Sequence, residues 1–242
     1  MKAEKIKYSM GTLTAEGAVV YNDAIGGKRP ALLMAPNWLG MTDQAIERAK
    51  LVAGDRYVVF VADMYGAGTR PADFGEAAKL ANPLRENAIE QRARIRAAYD
   101  AMIAESGKRN LIDGRRAAIG FCFGGGNVLE LARDGADLAA AVSIHGDLKT
   151  THAAKKGAVK AKLLVAHGAP DPVTPKADRD AFENEMDAAG AKWQLLLFSG
   201  VYHANTDQGS DVPGVAGWDE HACRQTYTLA HQFIADAFAG KL

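Results

Sequence analysis

Residues 116–126, Arg-Ala-Ala-Ile-Gly-Phe-Cys-Phe-Gly-Gly-Gly, constrain this chain more than any other stretch. The apolar run 116–120 reads as a buried strand, and Gly126-Asn127-Val128-Leu129-Glu130-Leu131-Ala132 opens a helical pattern. Between them, Gly120-Phe121-Cys122-Phe123-Gly124 has the form of a nucleophile elbow, with sulfur where serine is usual. So short a connection forces the central residue into a strained conformation. Side chains at the flanking glycines would collide with the strand and the helix. A thiol there sits at a helix N-terminus, where backbone N–H groups favour the thiolate. The plainer alternative is a glycine-rich turn enclosing a small buried cysteine.

Further apolar runs fall at 18–21, 31–35, 57–62, 140–144, 163–166 and 193–198. Helical patterns separate them at 43–53, 74–106 with a break near Pro83, 126–133, 176–189 and 218–239. In the last of these, Trp218, Ala222, Leu229 and Phe233 share one stripe, which reads as core packing. Strands alternating with helices predict an α/β architecture, a mostly parallel central sheet with helices on both faces. Ligands in such sheets bind beyond the carboxyl ends of the strands.

Bulk properties narrow the function classes. The 242 residues suit a single α/β domain over 1–242. Lys plus Arg equals Asp plus Glu at 29 each, so net charge offers nothing to nucleic acid or an anionic membrane. No apolar run approaches the ~20 residues of a membrane span, and the N-terminal residues lack the apolar core of a signal peptide. The expected location is cytoplasmic. Cys122 and Cys223 form no disulfide framework or Cys-x-x-Cys motif, and Cys223 reads as structural. The six histidines lack metal-ligand spacing, so no metal site is expected.

Three loops after three strands carry the chemistry. The elbow follows the run 116–120, His167-Gly168-Ala169-Pro170-Asp171-Pro172-Val173 follows 163–166, and Ser199-Gly200-Val201-Tyr202-His203-Ala204 follows 193–198. Cys122, Asp171 and His203 therefore stand in the order nucleophile, acid, histidine, the chain order of α/β-hydrolases. Asp171 before Pro172 could equally start a turn, and His203 could be a satisfied loop histidine. Their joint position at one edge of the sheet favours catalysis.

With Gly-Phe-Cys-Phe-Gly-Gly, the His-Gly-x-x-Asp loop and the Tyr-His segment, the chain resembles the dienelactone hydrolases (carboxymethylenebutenolidases) from about Ala31 to the C-terminal helix. The resemblance implies the α/β-hydrolase fold and a Cys-His-Asp triad at Cys122, His203 and Asp171. It implies an oxyanion hole from the N–H of Phe123 and of a residue in Ala35-Pro36-Asn37-Trp38-Leu39-Gly40, for which Trp38 is the choice. It implies a small ester or lactone substrate, hydrolysed without a cofactor by a monomer or small homo-oligomer. Where that family carries a glutamate beside the oxyanion loop, this chain has Asn37, which cannot act as a base at neutral pH. Its substrate-binding arginines have possible counterparts in Arg85 and in Arg92 or Arg94, each of which also fits a solvated helix face. After His203 stands Asp207, which would disfavour an anionic substrate if it faced the pocket. His145 ends a strand and reads as a buried structural histidine. Two rival readings are a binding or regulatory protein on a hydrolase scaffold and a thiol redox protein using Cys122.

Overall fold

A computed structural model describes all 242 residues. Eight strands form one sheet in the order β1-β2-β4-β3-β5-β6-β7-β8. They are β1 (Lys2–Met10), β2 (Leu13–Tyr21), β3 (Arg29–Ala35), β4 (Val58–Val61), β5 (Ile112–Phe121), β6 (Ala140–Ile144), β7 (Lys162–Gly168) and β8 (Trp193–Phe198). β1 and β2 are antiparallel, and from β4 to β8 every neighbouring pair is parallel. The mostly parallel sheet expected from the sequence is therefore present.

β3 and β4 are buried along their whole length, as strands covered on both faces must be. On one face α2 (Phe74–Arg85), α3 (Ala88–Lys108), α4 (Phe123–Arg133) and α5 (Lys176–Ala189) contribute Ala81, Ile95, Leu129 and Phe182 to a core. On the other, α1 (Asp43–Ala53) and α6 (Glu220–Phe238) contribute Val52, Ala230 and Phe233. The helix ends follow capping chemistry. Thr42, Asp73, Asn87 and Asp219 each accept a backbone N–H of the first turn of α1, α2, α3 and α6.

The structure departs from the sequence reading at several elements, and Pro83, where the sequence predicts a break, lies inside α2 with the break at Glu86–Asn87. β1 carries too little apolar content to read as a strand, since only Met10 of its nine residues is buried. A hairpin of β9 (Asp211–Val212) and β10 (Ala216–Gly217) is too short to show a pattern. Trp218 precedes α6 rather than belonging to its core stripe, and it is 40% exposed. Asp219 caps the helix, so α6 begins at Glu220, two residues later than the sequence pattern, and Trp218 is left in the loop.

Candidate active site

The elbow is enforced by backbone packed on backbone. Cys122 has φ 53° and ψ −123° at the junction of β5 and α4, a left-handed backbone that an L-residue adopts only under constraint. A Cβ on Gly120 would lie 2.0 Å from the carbonyl oxygen of Gly124. One on Gly124 would lie 2.1 Å from that of Ala35 and 2.3 Å from that of Pro36. Gly124 thus lets the first turn of α4 press directly on the loop that follows β3. The helix starts at Phe123, earlier than its three glycines suggest, because complete burial outweighs their low propensity.

Cys122 Sγ lies 3.2 Å from Nε2 of His203, whose Nδ1 lies 2.8 Å from Oδ2 of Asp171. The three residues read from the sequence are therefore brought together. Oδ1 of Asp171 accepts the backbone N–H groups of Val173 and Thr174, so the turn before Pro172 and the site geometry are one feature. His203 is held through its main chain: its N–H donates to Val215, and its carbonyl accepts from Gly217 in the β9–β10 hairpin.

Charge follows geometry. Burial opposes ionisation of Asp171, but His167 at 3.6 Å and His203 at 2.8 Å hold its carboxyl well below the usual carboxylate range. Burial also opposes the charge on His203, yet Cys122 and Asp171 outweigh it and push the imidazole up to about 10. Beside it, His145 is fully buried and its ring centroid lies 5.2 Å from that of His203. Burial pulls His145 down to about 4, which keeps it neutral. It is the structural histidine expected from the sequence, placed against the site.

The loop after β3 leaves the main-chain N–H of Trp38 without a protein acceptor, while the Trp38 carbonyl accepts from Tyr65. Phe123 is the first residue of α4, so its N–H has no partner within the helix. Trp38 lines the cavity and, half-buried, also packs against the core. Asn37 is held by two bonds: its Oδ1 accepts from Leu39, and its Nδ2 donates to Oδ2 of Asp207 at 3.2 Å. Asp207 is gripped in turn by Arg48 at 2.7 Å. Burial opposes its charge, but His145 and Arg48 keep its carboxyl well below the usual range. The network of Asn37, Asp207, Arg48 and His145 was not legible as a unit, because its members come from four separate segments.

Of the candidate arginines, Arg85 reaches the cavity, where it pairs with Asp147. Arg92 pairs with Glu130, and Arg94 with Glu90. Cys223 is a half-buried free thiol in α6.

The dienelactone hydrolase family profile matches residues 16–238. This chain belongs to the dienelactone hydrolase family. It is similar to a dienelactone hydrolase-like promiscuous phosphotriesterase from metagenomic libraries, at 31% identity over 98% of each chain with a TM-score of 0.88. The protein m3DLH is 32% identical over 98% of each chain, with a TM-score of 0.89. A dienelactone hydrolase from Anabaena variabilis, 18% identical over 97% of each chain with a TM-score of 0.70, shares the fold. Among curated protein sequences none matches. Membership makes the protein an α/β-type hydrolase acting on a small molecule. No helix is long and apolar enough to cross a membrane.

Proposed function

We propose that this hydrolase cleaves lactones and activated carboxylic esters through Cys122, His203 and Asp171, by way of a thioester acyl-enzyme. The observation that carries the reading is the continuous chain of contacts, 3.2 Å from sulfur to imidazole and 2.8 Å from imidazole to carboxylate, ending on a strained elbow.

His203 already holds the proton of the Cys122 thiol, and the thiolate so formed attacks the substrate carbonyl carbon. The N–H groups of Phe123 and Trp38 donate to the developing oxyanion, an effect of about 3 kcal/mol per donor. As the C–O bond breaks, the imidazolium gives its proton to the leaving oxygen. Acylation also removes the sulfur charge that raised the imidazole's proton affinity. The same His203 can then act as a base, taking a proton from the water that attacks the thioester. The thiolate leaves and the acid product departs. These steps use no cofactor. Asn37 supplies no proton acceptor, and its amide is occupied by Asp207 and Leu39. Activation of the thiol therefore falls to His203 alone.

Sulfur narrows the substrate. A thiolate leaves a tetrahedral intermediate more readily than an ordinary alkoxide, so plain alkyl esters revert, whereas enol and phenol leaving groups compete. Purified protein is expected to hydrolyse 4-nitrophenyl acetate and an uncharged enol lactone faster than ethyl acetate or a peptide amide. Faster turnover of the ethyl ester or the amide would contradict the reading. The likeness to a phosphotriesterase makes neutral phosphotriesters a second class to assay at the same thiolate.

A further inference from the structure

We propose that the cavity above Cys122 selects esters and lactones with neutral, apolar substituents and discriminates against those carrying a carboxylate. The inference rests on the hydrolase reading above and specifies its substrate class.

The first observation is that the cations of the cavity are already engaged. The cavity has a volume of about 1220 Å³. Arg85 and Lys149 bring positive charge to its wall, and Glu86, Asp147, Asp178 and Asp207 bring negative charge. Arg85 Nε donates to Asp147 at 2.7 Å, and its Nη1 donates to Asn82 at 3.0 Å. Its guanidinium also lies over the ring of Phe123, 5.3 Å from the centroid, so it is held in place. Lys149 Nζ stands 3.4 Å from Asp178. Asp207 is neutralised by Arg48, which lies behind the wall and presents no charge to a ligand. Arg85 and Lys149 thus each have a carboxylate partner in the cavity, and the His203 imidazolium is paired with Asp171 and the Cys122 sulfur. A substrate carboxylate at Arg85 would meet a guanidinium whose charge Asp147 already balances and would lie close to that acid.

The second observation is independent of charge. Phe74 is 62% exposed although its ring stacks on Trp38, 5.5 Å between centroids at 24°. Val173, Val212 and Val215, also at the wall, are each more than 40% exposed. Exposed apolar side chains gathered at the mouth of a reactive cleft mark a surface that a ligand covers. An aryl or alkyl substituent on the acyl or leaving group would lie against the Trp38–Phe74 pair, with its carbonyl at Cys122.

The test compares two phenyl esters of equal acyl length, 4-nitrophenyl hexanoate and mono-4-nitrophenyl adipate, which differ by a terminal carboxylate. The wild type should favour the hexanoate in kcat/KM by about tenfold or more. Asp147→Asn frees Arg85, so the adipate-to-hexanoate ratio should rise several-fold. Phe74→Ala should lower kcat/KM for the hexanoate relative to 4-nitrophenyl acetate, chiefly through KM. A wild type that turns over adipate as well as hexanoate, or a ratio unmoved in Asp147→Asn, would overturn the inference while leaving the hydrolase reading intact. If none of the esters turned over and none acylated Cys122, both would fall together.

Discussion

At residues 120–126 the backbone itself positions the Cys122 thiol, whereas at residues 199–217 contacts to other segments and to the β9–β10 hairpin position His203. Gly120 and Gly124 let a strand, a helix and the loop after β3 meet at distances no Cβ would tolerate, and Cys122 has nowhere else to point. His203 owes its place to the β9–β10 hairpin, to Asp171 and to Cys122, and the following Asp207 owes its place to Arg48 and Asn37. The difference separates two tasks. On the proposed function, the rigid turn fixes where the nucleophile stands, and the contact-held loop sets the proton affinity of its partner His203. Selection on substrate can then work in the loop without disturbing the elbow.

Breaking the rigid partner should have the largest effect. Gly124→Ala drives a methyl into the Ala35 and Pro36 carbonyls. It is expected to cost at least about 3 kcal/mol of stability, with loss of ester hydrolysis. Urea unfolding and turnover of 4-nitrophenyl acetate measure both. A stable, active Gly124→Ala would show that the elbow is not held as described.

Next in size is the link between the two regions. Asp171→Asn is expected to lower kcat/KM by about 10³-fold or more, because the imidazole loses its orienting carboxylate. The pH profile adds a signature that simple damage would not produce. In the wild type the raised proton affinity keeps His203 protonated up to about pH 10, so acylation should fall as pH rises through that value. Without the Asp171 charge the alkaline limb should move to lower pH. An unmoved limb would assign it to another group.

The smallest expected effect belongs to the support behind the loop. The folded protein holds His145 neutral down to about pH 4, while the unfolded chain takes up the proton near 6.5. A group depressed in this way contributes stability above the unfolded value, and that contribution is lost as pH falls through the window between the two. Acidification from pH 6.5 to 4 should therefore cost up to about 3 kcal/mol at this site. His145→Gln should flatten that part of the stability profile. Equal acid sensitivity in the variant would shift the effect to other groups, the buried His167 first among them.

The contrast between the two regions also explains what could be read from the sequence. The elbow was legible because its constraint is local and steric, written in consecutive residues. The spans of α1 and α5 were legible for a similar reason, since their apolar periodicity ends at Gly54 and Gly190. Asp171 and His203 could be placed by strand order alone, since in a parallel sheet the loops after successive strands share one edge. β1 escaped because its three outer lysines, Lys2, Lys5 and Lys7, give an edge strand little apolar signal. The hold of Asp207 on Asn37 escaped because the two stand 170 residues apart, and neither type carries a pattern. Asp207 itself was legible only as a charge near the histidine, and on the cavity wall that charge is balanced by Arg48.

The central claim, that Cys122 carries the acyl group, is tested most directly by trapping it. Protein mixed with 4-nitrophenyl acetate, quenched in acid within one turnover and digested, should yield one acetyl group on the peptide containing Cys122. The peptide containing Cys223 should be unmodified, and Cys122→Ala should show neither label nor turnover. Acetyl on another residue with full activity in Cys122→Ala would contradict the account.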